Sequence, residues 1–279
     1  TTTTNNNNNN NNTNTNASLG TNKQDALAQQ RISMLRKLVA TKGLPDSANQ
    51  MCTPKFGECS LRGIIWKIFL GIGEIHVDKY VEYINKGPSS DAEKINIDTL
   101  RTFSKNEDFT SRVSQNKLNR VLNAYCHYRG NAKGVYVQSM SILCAPFVYL
   151  MPEPDAFQSM CTFLSCHIPQ YINKYAGVMA GCRLLEDCLK CADEPLYKHL
   201  ENYRLKPEVY AFSAISTLNA CVPPLSDTVK LWDIQLAFGA YWGIVFTLAR
   251  LVNSSEILRS PRGPGAPLIT RELEQGLGM

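Results

Sequence analysis

Apolar residues recur in this chain at the spacing of one helical face. Leu118, Val121, Leu122 and Tyr125 fall at i, i+3, i+4 and i+7, the pattern of a helix that buries one side. Phe157, Met160, Phe163 and Leu164 make a second stripe, and Val178, Met179, Cys182, Leu185 and Leu189 a third. Leu27, Ile32, Leu35, Leu38 and Val39 repeat near helical spacing between Lys23 and Lys42, where Gly43 and Pro45 stop the pattern. No alternating strand pair or hairpin turn stands between these stripes. The chain is therefore expected to be all-α, an array of helices that does not repeat. Hydrophobic residues make up 44% of it, enough for a sizeable core.

The ends differ from the middle. Residues 1–16 are only Thr and Asn, with no apolar surface to bury, so a disordered tail is expected over 1–22. Beyond Ser254, the Pro and Gly of 261–267 oppose a helix, and 254–279 is expected to be a loosely held, divergent tail. Between them, Ser60 is placed to cap a helix over 61–70 that Gly71 ends. Asp78 to Asn85 reads as a short helix, and Ser104 to Glu107 has capping-box spacing. One helix is predicted from Pro207 through Tyr210, Ile215 and Leu218 until Pro223-Pro224, and a last apolar helix to about Val252.

Several function classes lose ground here. The net charge of +5 is small for 279 residues, which argues against nucleic acid. The 10 Cys occur without a small secreted frame or a signal peptide, so free thiols in a reducing compartment are expected. The uncharged run Ile234 to Ala249 is shorter than the roughly 18 apolar residues a spanning helix needs. Cys188-x-x-Cys191 has ligand spacing, but it lies in a helical stripe without a second pair, so no metal is expected.

Two places carry chemistry that packing does not require. In Ile95 to Phe103, Asp98 and Arg101 stand three apart between apolar anchors, and Arg101 is the one Arg between Arg62 and Arg112. A single oriented guanidinium suits one electrostatic task, although an ordinary surface ion pair has the same spacing. Gln138 is a lone amide at the mouth of a strongly apolar segment, a pattern also given by a helix cap or a buried structural amide. Arg62 and Trp66, four apart, share a face and read as a buried Trp with an Arg stacked on it.

Three segments then coincide in order. Arg62-Gly63-Ile64-Ile65-Trp66 with Leu70-Gly71, Ile97-Asp98-Thr99-Leu100-Arg101-Thr102, and Tyr136-Val137-Gln138-Ser139-Met140 resemble the successive signatures of the TBC domain. That family activates GTP hydrolysis on Rab-type small GTPases. Leu231-Trp232-Asp233 resembles a later element, and the likeness covers roughly Leu61 to Val252. Met140 to Tyr149 looks most like the mitotic checkpoint branch, whose yeast members restrain mitotic exit or septation at the spindle pole. Ser139 and Ser141 depart from the family, which usually has Gly and Asn there.

The resemblance implies a non-repeating helical TBC (Rab-GAP) domain over 23–253. It implies a GTPase activator acting through fingers supplied to its partner: Arg101 on the transferring phosphoryl group and Gln138 on the attacking water. Asp98, Arg62, Trp66 and Tyr136 would support them. The expected partner is a Rab/Ras-type small GTPase in its GTP form, with a companion GAP subunit as a second candidate. GTP and Mg2+ would belong to the GTPase, leaving this chain without a cofactor of its own. A cytoplasmic place, at the spindle pole or centrosome, is expected. The alternative reading is a catalytically weak or silent TBC scaffold that binds a GTPase or a companion subunit.

Overall fold

The computed structural model of the chain describes residues 13–50, 59–222 and 224–260. It divides into two compact units at Lys42/Gly43. The described part of the first is helix α1 (Thr13–Lys42), which begins ten positions before Lys23. Thr and Asn are weak helix formers, but lengthening a helix costs less than nucleating one. The expectation for residues 1–12 lies outside the described residues, as does that for 261–279.

The second unit is helical throughout its described residues, without a ladder of β-strands. A 3-10 turn (Asp46–Asn49) leads to α2 (Leu61–Phe69), capped as anticipated: Ser60 Oγ accepts from Gly63 N at 3.0 Å. Gly63 cannot carry a side chain, because a Cβ there would stand 2.9 Å from Leu150 O and Met151. Then follow α3 (Val77–Asn85), α4 (Ala92–Arg101), α5 (Glu107–Arg112), α6 (Gln115–Tyr128), α7 (Ser139–Leu150) and α8 (Glu153–Thr162). Helix α6 packs against α3, α4, α7 and α8. Its Leu118, Val121 and Leu122 are fully buried, each contributing about 1.5–3 kcal/mol. Helix α7 is buried along its length apart from Ile142.

A π-helical turn (Phe163–His167) and α9 (Pro169–Ile172) lead to α10 (Ala176–Ala192). This helix packs against α11 (Glu194–Asn202), α12 (Pro207–Tyr210), α13 (Phe212–Ser216) and α15 (Trp242–Asn253) around Val178, Cys182, Leu185 and Leu189. Helix α14 (Leu225–Phe238) meets α2 on one side and α15 on the other.

Four local readings need correction. The helix expected from Pro207 is two short helices, broken at Ala211, and Leu218 and Asn219 adopt left-handed backbone (φ 52° and 63°). The apolar stretch after Leu231 is split at Gly239, whose φ of 123° only glycine tolerates readily. Ser104 caps nothing: Asn106 is the cap of α5, its side chain accepting from Phe109 N at 2.8 Å. The segment after Ser254 includes α16 (Ser255–Arg259), whose Leu258 is buried in the α10 cluster.

One polar cluster ties α3, α6 and α8 together. Glu153 accepts from Tyr80 Oη at 2.8 Å and from Arg120 Nε at 2.9 Å. Burial alone would raise its carboxyl, but the hydrogen bonds from Arg120 and Tyr80 outweigh this and hold it below the usual value of 4.5. Glu153→Gln is expected to lose about 1.5–3 kcal/mol of stability at neutral pH. A depressed carboxyl stabilises above its unfolded value and stops doing so as pH falls through its folded one. The gap between the two proteins in urea midpoints should therefore close below about pH 4.5. A gap constant down to pH 2.5 would contradict the assignment.

Candidate functional site

The C-terminal end of α4 and the N-terminal end of α7 open onto one cleft of about 620 Å³. Residues Arg101 to Asn106 form one wall and Gln138, Ser141 and Ile142 a second. Cys221, Pro224 and Leu225 form the third. Two cations, Arg101 and Lys105, line it, and no carboxylate does among the described lining residues. The cleft is thus suited to an anionic group.

Each wall has a local cause. Ile95 is fully buried and anchors α4. Thr102 ends the helix with an extended backbone, and its hydroxyl donates to Asp98 O at 2.8 Å. Phe103 then takes a left-handed conformation (φ 48°) and rests its ring on Phe109, which turns residues 104–106 along the cleft. The third wall is held from behind: Trp232 Nε1 and Gln235 Nε2 both donate to Leu218 O at 3.1 Å.

The Arg101 side chain is 57% exposed, while that of Asp98 is buried. One Arg101 Nη donates to Asp98 Oδ1, and the residue lines the cleft. The other Asp98 oxygen accepts from Tyr136 Oη at 2.8 Å. Burial raises the Tyr136 phenol far above its usual value, with Asp98 adding to the shift, so the hydroxyl stays protonated and donates. Arg101, Asp98 and Tyr136 form one chain of contacts across 38 positions.

Gln138 stands at the N-cap position of α7 and is not a buried amide. Its side chain makes no capping hydrogen bond, and the residue is exposed immediately before α7. Its backbone oxygen accepts from the Ser141 hydroxyl at 3.3 Å. Ser139 is buried at the first position of α7.

Arg62 and Trp66 lie elsewhere, in the core between α2 and α14, and line no part of the cleft. Arg62 does not stack on the Trp ring; its Nε–H is shared between the two oxygens of a carboxylate. Its Nε stands 3.0 and 3.1 Å from the two Asp233 oxygens, and Trp66 Nε1 donates to Asp233 Oδ1 at 2.7 Å. Asn49 Oδ1 accepts from Nη1 and Leu44 O from Nη2. Trp66 instead packs against Phe147 and Trp232. Burial pushes the Asp233 carboxyl up to about 6, against the pull of Arg62 and Trp66. These two residues support the site only by holding the frame.

Sequence reasoning gave no part to Asp91, Lys105 or the side chain of Asp233. Asp91 is buried and its Oδ2 accepts from Gly134 N at 2.9 Å and Tyr136 N at 3.1 Å. Burial would raise its carboxyl, but the Tyr136 and Gly134 amides together with Lys94 hold it below its usual value. An acid seven positions before Asp98 was the one available signal.

Among the described residues, no three His, Cys, Asp or Glu side chains gather where they could hold a metal ion. Cys161 and Cys182 are buried, whereas Cys166 and Cys191 are exposed. Burial raises the thiols of Cys126 and Cys182 to about 11, which makes them poor nucleophiles and poor ligands. No described helix is long and apolar enough to cross a membrane.

The family model described as the Rab-GTPase-TBC domain matches residues 59–258. The chain is similar to the putative mitotic check point protein BUB2 of Dictyostelium discoideum, 35% identical over 248 residues, which covers 87% of this chain and 67% of that protein. Cell division control protein 16 of Schizosaccharomyces pombe is 37% identical over 205 residues, covering 73% of this chain and 68% of that protein. The crystal structure of the Chlamydomonas flagellar RabGAP TBC domain superposes with a TM-score of 0.65 at 20% identity, covering 90% of this chain and 86% of that one. At that identity the superposition speaks for the fold.

Proposed function

This chain belongs to the Rab-GTPase-TBC domain family, and on that premise we propose that it activates GTP hydrolysis by a Rab/Ras-type small GTPase through fingers at Arg101 and Gln138. The observation that carries the reading is the shared cleft: two residues 37 positions apart, both exposed, line one cationic opening.

The geometry supports this chemistry. The transferring phosphoryl group spreads negative charge over its equatorial oxygens, and the attacking water must be held in line. Arg101 presents a planar fork whose charge is permanent, with Asp98 fixing one edge so that the others meet phosphate oxygens. Gln138 offers an amide that can accept from the water and donate to the phosphoryl group. Lys105 adds a second positive charge to the cleft. The nucleotide and its Mg2+ come with the GTPase, so this chain supplies only side chains.

The named relatives concern a mitotic check point and cell division. The reading therefore extends to control of mitotic exit or cytokinesis, in the cytoplasm at the spindle pole, with a companion subunit as a second partner.

The test is a single-turnover hydrolysis screen over purified small GTPases, with and without candidate companion subunits. At least one GTPase should be accelerated. Gln138→Ala should then lose about 10- to 100-fold of the acceleration, the scale of one misplaced or missing polar contact. Acceleration of no GTPase under either condition would remove the reading, and binding without acceleration would favour the scaffold.

A further inference from the structure

We propose that Asp91 is a positioning residue: with Asp98 it clamps Tyr136 at both ends and so sets the register of the Gln138 segment against the Arg101 helix. The assignment of Asp91 rests on the finger reading above, and it adds to that reading how two fingers from distant parts of the chain are held together.

The clamp is visible in the contacts. Asp91 and Asp98 are seven residues apart, about two turns, so both face the same side of α4. Asp91 takes the backbone N–H of Tyr136, and Asp98 takes its phenol. Tyr136 is buried between them, two positions before Gln138. Asp91 stands at the N-cap position of α4, yet its side chain accepts from no amide of that helix. A carboxylate at such a place ordinarily satisfies its own helix; this one is turned to the incoming loop instead, with Lys94 Nζ 3.3 Å from its other oxygen.

The loop needs such a tie. Between α6 and α7 the backbone is left-handed at Gly130, Asn131 and Gly134, and it has no regular ladder of its own. Asn131 Oδ1 accepts from Ser90 N at 2.9 Å, a second bond from the same corner. Gln138 makes no side-chain capping bond and is exposed, so its place is set through its backbone, by Ser141 of α7 on one side and by the residues just before it on the other. Asp91 does not line the cleft, which separates it from the fingers.

Hydrogen exchange tests the clamp without any GTPase. In the parent chain the amides of Gly134 and Tyr136 should exchange more slowly than those of Ala132 and Lys133. Equal rates would overturn the proposal even if no variant folds. Asp91→Ala should speed exchange over residues 134–140, while Asp91→Asn, which keeps an acceptor oxygen, should change it little. Single-turnover hydrolysis on the GTPase found by the screen tests the positioning. Asp91→Ala should lower the rate at saturating protein by about 10- to 100-fold and leave the half-saturating concentration unchanged. In a Gln138→Ala background it should cost less than about twofold, because both changes remove the same contribution. The same loss in both backgrounds, or faster exchange with an unchanged rate, would mark Asp91 as merely structural and overturn the proposal. If the parent chain accelerates no GTPase, the finger reading fails, and the exchange of Asp91→Ala and Asp91→Asn still decides the clamp.

Discussion

Arg101→Ala is expected to abolish most of the acceleration on a cognate GTPase, a loss of about 10³–10⁵-fold in single-turnover rate. On the proposed finger role the side chain meets charge that develops only in the transition state, so the loss should appear in the maximal rate more than in the half-saturating concentration. Arg101→Lys should recover little, because a point charge on a flexible stem cannot reproduce the fork that Asp98 orients. The fold should tolerate both changes. The Arg101 side chain is mostly exposed, and its ion pair with Asp98 is of a kind worth at most about 1 kcal/mol. Unfolding midpoints near the parent's, measured beside the rates, would separate a chemical loss from a structural one. An Arg101→Ala protein with full acceleration would end the finger assignment.

Asp233→Ala should produce the largest loss of stability, about 3–5 kcal/mol. It leaves the Arg62 guanidinium inside the core with its main counter-charge gone, and it removes the acceptor of Trp66 Nε1. Domains of this kind are stable by only about 5–15 kcal/mol, so a large part of the margin disappears. Urea denaturation followed by circular dichroism measures it. The double replacement Arg62→Met with Asp233→Leu should cost much less than Asp233→Ala alone, since apolar groups of similar volume often replace a buried pair at little cost. Equal losses in the two proteins would mean that packing, and not the unpaired charge, dominates.

What could be read from the sequence was whatever repeats locally. The stripe Leu118, Val121, Leu122 and Tyr125 is buried to the last residue, because helical periodicity and one-sided burial are the same fact. The Asp98–Arg101 pair could be read for the same reason, as both residues lie within one turn. The site's second half could not. Nothing in the spacing says that the Tyr136 phenol reaches Asp98, or that Asp91 serves a loop 43 positions onward. Arg62 and Trp66 read as a stacked pair because Asp233, which joins them, is 171 positions away from Arg62. The breaks at Ala211 and Gly239 are not legible in the sequence because the apolar pattern runs through them while the helical backbone does not. Gln138 shows the converse case. Val137 before it and Met140 after it are apolar, so its own exposure depends on where the fold begins α7.

The bond between Arg62 and Asp233 also bears on how the chain is made. At translation rates of about 5–20 residues per second, the 171 residues between them take on the order of 10–30 s to emerge. Throughout that interval the nascent α2 has its charge and its indole but no carboxylate to receive them. The early helices can form locally, yet the centre of the domain cannot close until α14 leaves the ribosome. A message or cleavage product ending before Asp233 would leave the apolar face of α2 and the Arg62 charge without their α14 partner. Such fragments should be chaperone clients and aggregate, and an active short form should therefore always include α14.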